Sequence, residues 1–423
     1  MFLGSATAAS LALKAEPASR LLKASEKQTT FIKIALKNLN PEREERTPVN
    51  VALVIDQSGS MQGERMTRAK EAAMLAIDFL NDEDHVSVVT YNSSVHVVVP
   101  ATPVHNRPAI KAAIRALQPA GNTALFAGVA RGAGEVRQHL SPYRINRIIL
   151  ISDGLANVGP STPGALGELG RSLGSQGISV TTIGLGLGYN EDLMSRLAGA
   201  SDGNHAFAEN ASDLLPLFNN EFGDLFSVVA QEVEISIRFS PSVTPIRVLG
   251  REAMIDGHSV RSRINQISGE QEKYLIVEVE ISGGKPGEQQ EIASVDARYL
   301  DVHTRQHKKL DQTITIGYSN SARDISASAS PSVAEAALIQ QTNEVSKQAV
   351  ELRDEGRIEE AKSLLRSNAD TLRAGAASLG SEQLRSLEMQ TRTDEAEIAK
   401  EDWDKNRKEL IERQYKLEKQ QSY

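Results

Sequence analysis

The chain has 423 residues, 40% hydrophobic and 24% charged, the make-up of a globular protein with two or three cored domains. A net charge of −8 leaves no basic excess to neutralise phosphates and argues against a nucleic-acid binder. With no cysteine, disulfides, thiolate metal sites and thiol nucleophiles are excluded, and no apolar run is long enough to span a bilayer.

Met1 to Leu13 is mildly apolar, lacks a basic leader and is diluted by Ser, Thr and Gly. It reads as the start of a cytoplasmic protein rather than a secretory signal, and residues 1–27 are expected to be loosely ordered. Thr30 to Leu39 alternates as a strand, with Ile32, Ile34 and Leu36 on one face, until Asn40-Pro41 and the charged run Glu42 to Arg46 break it.

Val51-Ala52-Leu53-Val54-Ile55 is an unbroken apolar run of the kind a fully buried parallel strand needs. It ends in Asp56-Gln57-Ser58-Gly59-Ser60, which offers a carboxylate and two hydroxyls at alternate positions, with Gly59 allowing a tight turn. In open α/β sheets ligands sit outside the carboxyl ends of strands, and hard oxygens gathered there suit Mg²⁺. A strand followed by a polar, helix-capping turn accounts for this stretch equally well.

An α/β rhythm follows. A helix over Met66 to Leu80 turns Ala69, Ala73, Ile77 and Leu80 inward. Strands over His85 to Tyr91 and Val95 to Val99 come next, then helices over Pro108 to Leu117 and Leu125 to His139. Just before the second of these, Thr123 presents a hydroxyl in a turn that begins at Gly121. A second apolar run, Ile148-Ile149-Leu150-Ile151, ends in Ser152-Asp153-Gly154. Alternating helices and strands continue to a helix ending near Phe226. The pattern predicts a doubly wound, mainly parallel sheet whose switch point lies between the strands ending at Asp56 and Asp153. Gly184-Leu185-Gly186-Leu187-Gly188 lies between a strand and a helix but lacks the Gly-x-Gly-x-x-Gly spacing, so dinucleotide binding is not expected.

The trio resembles the von Willebrand factor type A domain and its metal-ion-dependent adhesion site. That family carries Asp-x-Ser-x-Ser, a lone Thr and a later strand-terminal Asp. The resemblance places the metal ligands on Asp56, Ser58, Ser60, Thr123 and Asp153, covers about residues 48–225, and leaves a sixth position for a partner's carboxylate. It implies Mg²⁺, with Mn²⁺ or Ca²⁺ as alternatives. It is closest in kind to bacterial proteins similar to calcium-activated chloride channel and inter-α-trypsin inhibitor heavy-chain proteins.

Beyond Phe226 the period changes to 2. Val233, Ile235, Ile237 and Phe239 alternate with polar residues, as do Leu275, Val277, Val279 and Ile281. This predicts an antiparallel β-sandwich of six or seven strands over 226–325. The strand within 28–47 should pair into it, making the α/β domain an insertion. Ser326 to Ser330 reads as a linker. Residues 331–423 read as a helical region, with Arg357 to Leu365 resembling part of one tetratricopeptide-type hairpin. The charge-dense stretch Thr393 to Gln421 reads as a solvated, fraying helix, against a docking helix anchored by Trp403.

The expected function is metal-dependent protein–protein interaction, in an intracellular adaptor or cochaperone-like subunit. Partners would be AAA+ ATPases or kinase- and phosphatase-linked signalling proteins, or a second copy of the chain. A metal-dependent hydrolase and a surface adhesin are the alternatives. The hydrolase is disfavoured because no histidine falls in the three motifs, which leaves no obvious general base there.

Overall fold

The chain opens with paired strands. In the computed structural model, which describes residues 10–39, 46–269, 271–400 and 403–421, β1 (Leu11–Pro17) runs antiparallel to β3 (Gln28–Asn38) over its whole length. Between them, β2 (Leu21–Lys23) pairs parallel with the last strand of the chain. The expected looseness of residues 1–27 is therefore wrong from residue 10 onward. Leu11, Ala15, Leu22 and Ala24 are buried in the core, but a seven-residue strand that spends positions on Ala and Pro hides its alternation. Residues 1–9, where a leader would lie, and the break at Asn40-Pro41 with the run to Glu45 fall outside the described residues.

The inserted domain then runs β4 (Val49–Asp56), α1 (Glu64–Phe79), β5 (His85–Tyr91), β6 (Val95–Pro103), α2 (Arg107–Arg115), α3 (Leu125–Arg137), β7 (Ile145–Ser152), α4 (Pro163–Ser175), β8 (Ile178–Leu185), α5 (Glu191–Ala200), β9 (His205–Ala208) and α6 (Leu214–Phe226). Its sheet has the order β6-β5-β4-β7-β8-β9, parallel except for β6. Every residue of β4, β7 and β8 is buried because helices cover both faces. Val51, Leu53 and Ile55 pack with α1, α2 and α6, whereas Ala52 and Val54 face α3 and the α4–α5 side. From β4 the chain moves to β5 on one side and later returns as β7 on the other, so the switch point opens between Asp56 and Asp153.

The second part comprises β10 (Val228–Phe239), β11 (Val243–Leu249), β12 (Ala253–Asp256), β13 (Ser259–Ser268), β14 (Glu272–Ile281), β15 (Gln289–Asp301) and β16 (Gln306–Ser319). With β1 to β3 these form two sheets, β1-β3-β14-β11 and β12-β13-β10-β15-β16-β2, sharing one apolar core. Strand β3 pairs with β14 along ten residue pairs, Gln28 to Lys37, so the α/β domain sits between strands of one sandwich. A buried ion pair ties the two parts. Arg147 on β7 reaches Glu221 on α6 at 2.8 Å and donates to Gln266 Oε1 on β13 at 2.6 Å.

The helical region holds α7 (Ala322–Ala327), α8 (Pro331–Asp354), α9 (Ile358–Leu379), α10 (Glu382–Glu397) and α11 (Asp404–Lys419), and α7 takes up part of the expected linker. Reading α11 as solvated and fraying was wrong. Trp403, Leu410 and Tyr415 are buried, and α11 lies along the sheet edge of the inserted domain. Glu412 and Gln421 accept hydrogen bonds from the backbone N–H groups of Phe207 and His205 on β9, satisfying donors that an edge strand otherwise leaves open. Some of its charges looked like a solvated face because their partners are distant in sequence, Glu191 lying 216 residues from Arg407 and 217 from Lys408. Among the described residues no helix is long and apolar enough to cross a membrane.

Candidate metal centre

Where β4 ends, the chain turns through Ser58 and a single 3-10 turn, Gly59–Met61, before α1 begins. Asp56 is buried, and its Oδ1 accepts the Ser58 backbone N–H at 2.9 Å. Ser152, the last residue of β7, donates its hydroxyl to Asp56 Oδ2 at 2.7 Å. One residue on, the equally buried Asp153 accepts the Ser60 hydroxyl on Oδ1 at 2.7 Å and Arg65 Nη1 on Oδ2 at 2.7 Å. Ser58 Oγ lies 3.0 Å from Ser60 Oγ. Thr123 is fixed from outside, since its N–H donates to Asn157 Oδ1 at 2.8 Å and its carbonyl accepts the Asn157 N–H at 3.1 Å.

Gly154 shows how these oxygens converge. A Cβ placed there would lie 3.3 Å from Thr123 Oγ1, 3.4 Å from Ser60 Oγ and 4.0 Å from Ser58 Oγ. Glycine thus leaves a small hollow facing three hydroxyls. The five residues singled out in the sequence are brought to this one place, and two of them are carboxylates.

Burial pushes the Asp56 carboxyl above the usual range and the Asp153 charge adds to this, with hydrogen bonds from Ser58 and Ser152 partly offsetting it. The side-chain hydrogen bonds to these carboxylates bring one cation, Arg65, which is 39% exposed. Two buried carboxylates, of which only Asp153 is paired with a guanidinium, are short of positive charge. Hydroxyl and carboxylate oxygens around a glycine-lined hollow fit a hard dication with retained waters. Among the described residues no group of three or more His, Asp or Glu side chains is placed to hold an ion, so a softer or more anionic site has no candidate. When bound, the metal would supply an electrophilic position for an anionic oxygen.

The glycine-rich turn after β8 closes one side. A Cβ on Gly188 would sit 2.7 Å from the Asp153 carbonyl oxygen, and one on Gly184 would penetrate the Tyr189 ring. Gly186 has φ +69° and a Cβ there would press on Arg65 Nη2 at 3.1 Å. These glycines serve close packing against the centre. Histidine takes no part in the hydrogen bonds around the two carboxylates. His85 instead lies against His139 with ring centroids 4.0 Å apart and the rings tilted by 36°, and burial, with His139 beside it, pulls its imidazole down to about 4.

A family model for the von Willebrand factor type A domain matches residues 50–221, the span that carries this centre. Residues 50–221 are a von Willebrand factor type A domain. The protein YfbK of Escherichia coli is 29% identical over 228 residues, 53% of this chain and 40% of that protein. Human inter-alpha-trypsin inhibitor heavy chain H3 is 29% identical over 170 residues, 38% of this chain and 19% of that one. The chain thus spans less than half the length of both relatives. A solved von Willebrand factor type A protein from Catenulispora acidiphila superposes with a TM-score of 0.73 at 18% identity, covering 91% of each chain, so the fold beyond the type A domain is shared as well. Type A domains are in general protein–protein interaction modules.

Sequence reasoning missed Arg65, Ser152, Asn157 and Gly154. Ser152 and Gly154 flank the Asp153 motif. Arg65 and Asn157 reach the centre only through the turn after Ser60 and the loop back to Thr123, and neither has a spacing that marks it.

Proposed function

We propose that the chain is a divalent-metal-dependent protein-interaction subunit of adaptor type. Its type A domain holds Mg²⁺, or Mn²⁺ or Ca²⁺, through Asp56, Ser58, Ser60, Thr123 and Asp153 and receives a partner's Asp or Glu. One observation carries this reading: three hydroxyls and two buried carboxylates meet at a hollow kept open by Gly154, and among the described residues Arg65, on Asp153, is the one cation hydrogen-bonded to either carboxylate. Held largely by the neutral hydroxyls of Ser58, Ser60 and Thr123, a bound dication would keep an electrophilic position for a carboxylate from outside. A hydrolase is disfavoured, since Asp153, which accepts the Ser60 hydroxyl, is tied to Arg65, and among the described residues no histidine hydrogen-bonds to the three hydroxyls. A second copy of the chain offering one of its own acidic residues would use the same chemistry.

The test is a pull-down from native lysate with wild type and Asp56→Ala, each in Mg²⁺ and in EDTA. A protein retained only by wild type in Mg²⁺ supports the reading. The same proteins in all four lanes would refute it.

A further inference from the structure

Two large apolar side chains stand out in solvent at the rim of this centre. Leu155 is 59% exposed and Leu187 is 46% exposed. Leu155 lies in the short bridge from Asp153 to Asn157, whose two ends contact Ser60 and Thr123. Leu187 lies between Gly186, packed on Arg65, and Gly188, packed on the Asp153 carbonyl. Neither loop is slack, because hydrogen bonds or close glycine contacts fix it on both sides of its leucine. Both leucines point into solvent from loops whose neighbouring residues are fixed. An apolar rim around a polar, charge-deficient centre is the anatomy of an interaction site, and burying such side chains is where the gain on association comes from.

We propose that Leu155 and Leu187 form an apolar collar around the metal centre, and that its partner is a protein segment whose acidic residue has apolar neighbours. The inference rests on the metal-dependent reading above and adds to it the side chains beside the carboxylate. Charge complementarity fixes the occupant: a bound dication and the half-exposed Arg65 both call for an anion, and the leucines on the two adjoining loops call for apolar flanks. A purely acidic, polar segment would satisfy the first and leave the collar wet.

Fluorescence anisotropy with labelled synthetic peptides tests this on the full chain. One peptide centres on Leu-Phe-Glu-Leu-Phe, a second on Ser-Ser-Glu-Ser-Ser, and a third replaces the Glu of the first by Gln. In Mg²⁺ the apolar-flanked Glu peptide should bind at least about tenfold more tightly than the serine-flanked one, the order expected for burying a leucine. Leu155→Ser with Leu187→Ser should erase that advantage, whereas Ile246→Ser, an exposed apolar residue on β11, should leave it intact. Equal binding of both Glu peptides in Mg²⁺, or an advantage that survives the double substitution, would overturn the collar and leave the metal reading standing. Binding of the apolar Glu and Gln peptides alike in EDTA would overturn the metal reading and the collar together. Failure of every peptide to bind at millimolar concentration counts against the collar.

Discussion

Two clusters of buried charge lie on either side of the glycine-rich turn after β8, and they are built on opposite rules. At the seam with α11, Glu191 is gripped by Lys408 Nζ at 2.5 Å and Arg407 Nη1 at 2.5 Å, and Arg407 also reaches Asp192 and Asp354. Lys408 further donates to the Tyr189 carbonyl at 3.0 Å. Burial alone would raise the Glu191 carboxyl, but the Lys408 and Arg407 hydrogen bonds outweigh it and the net shift is downward. At the metal centre one half-exposed arginine pairs with Asp153, Asp56 is hydrogen-bonded by Ser58 and Ser152 instead, and the Asp56 carboxyl is shifted upward. A cluster closed on itself stabilises the fold. A cluster left short of charge lowers stability locally and keeps a place for a ligand.

The comparison breaks if Glu191 can be removed cheaply. Glu191→Ala leaves the buried Lys408 ammonium with the Tyr189 carbonyl and ring but no countercharge, and urea unfolding should show a loss of about 3 kcal/mol. Acid gives the sign. Because the folded-state Glu191 carboxyl is lowered, its contribution is full above the unfolded value of 4.5 and disappears as pH falls through the folded one. The difference in stability between wild type and Glu191→Gln should therefore be largest at neutral pH and vanish in strong acid.

A smaller effect of opposite sign is expected across the turn. Asp56→Asn, measured in EDTA at neutral pH, should stabilise the chain by roughly 1 kcal/mol, because it removes a buried charge facing another. A destabilisation similar to that of Glu191→Ala would make the two clusters alike and erase the contrast. The smallest effect belongs to Arg65. Arg65→Gln removes the resident positive charge and should tighten Mn²⁺ binding about fivefold by titration calorimetry, while Arg65→Lys keeps it near wild type.

What could be read from the sequence followed from periodicity and from motif order. Five apolar residues before Asp56 and four before Ser152-Asp153 are enough to specify buried parallel strands, and the oxygens at their ends follow from where such strands stop. The pairing of β3 into the sandwich was legible because Ile32, Ile34 and Leu36 alternate cleanly. Strand β1 was not, since Ala and Pro dilute the same period, and α11 was not, because ion pairs such as Lys408 with Glu191 span 217 residues. Arg65, Leu155 and Leu187 carry no pattern at all. Their meaning comes only from what the turns place beside them.

The most direct test is Mn²⁺ binding to the purified full chain, by calorimetry or by the spectrum of the bound ion, for wild type and Asp56→Ala. One Mn²⁺ per wild-type chain, displaced by Mg²⁺ and absent from a folded Asp56→Ala, is the predicted result. No binding by wild type, or undiminished binding by Asp56→Ala, would contradict the account.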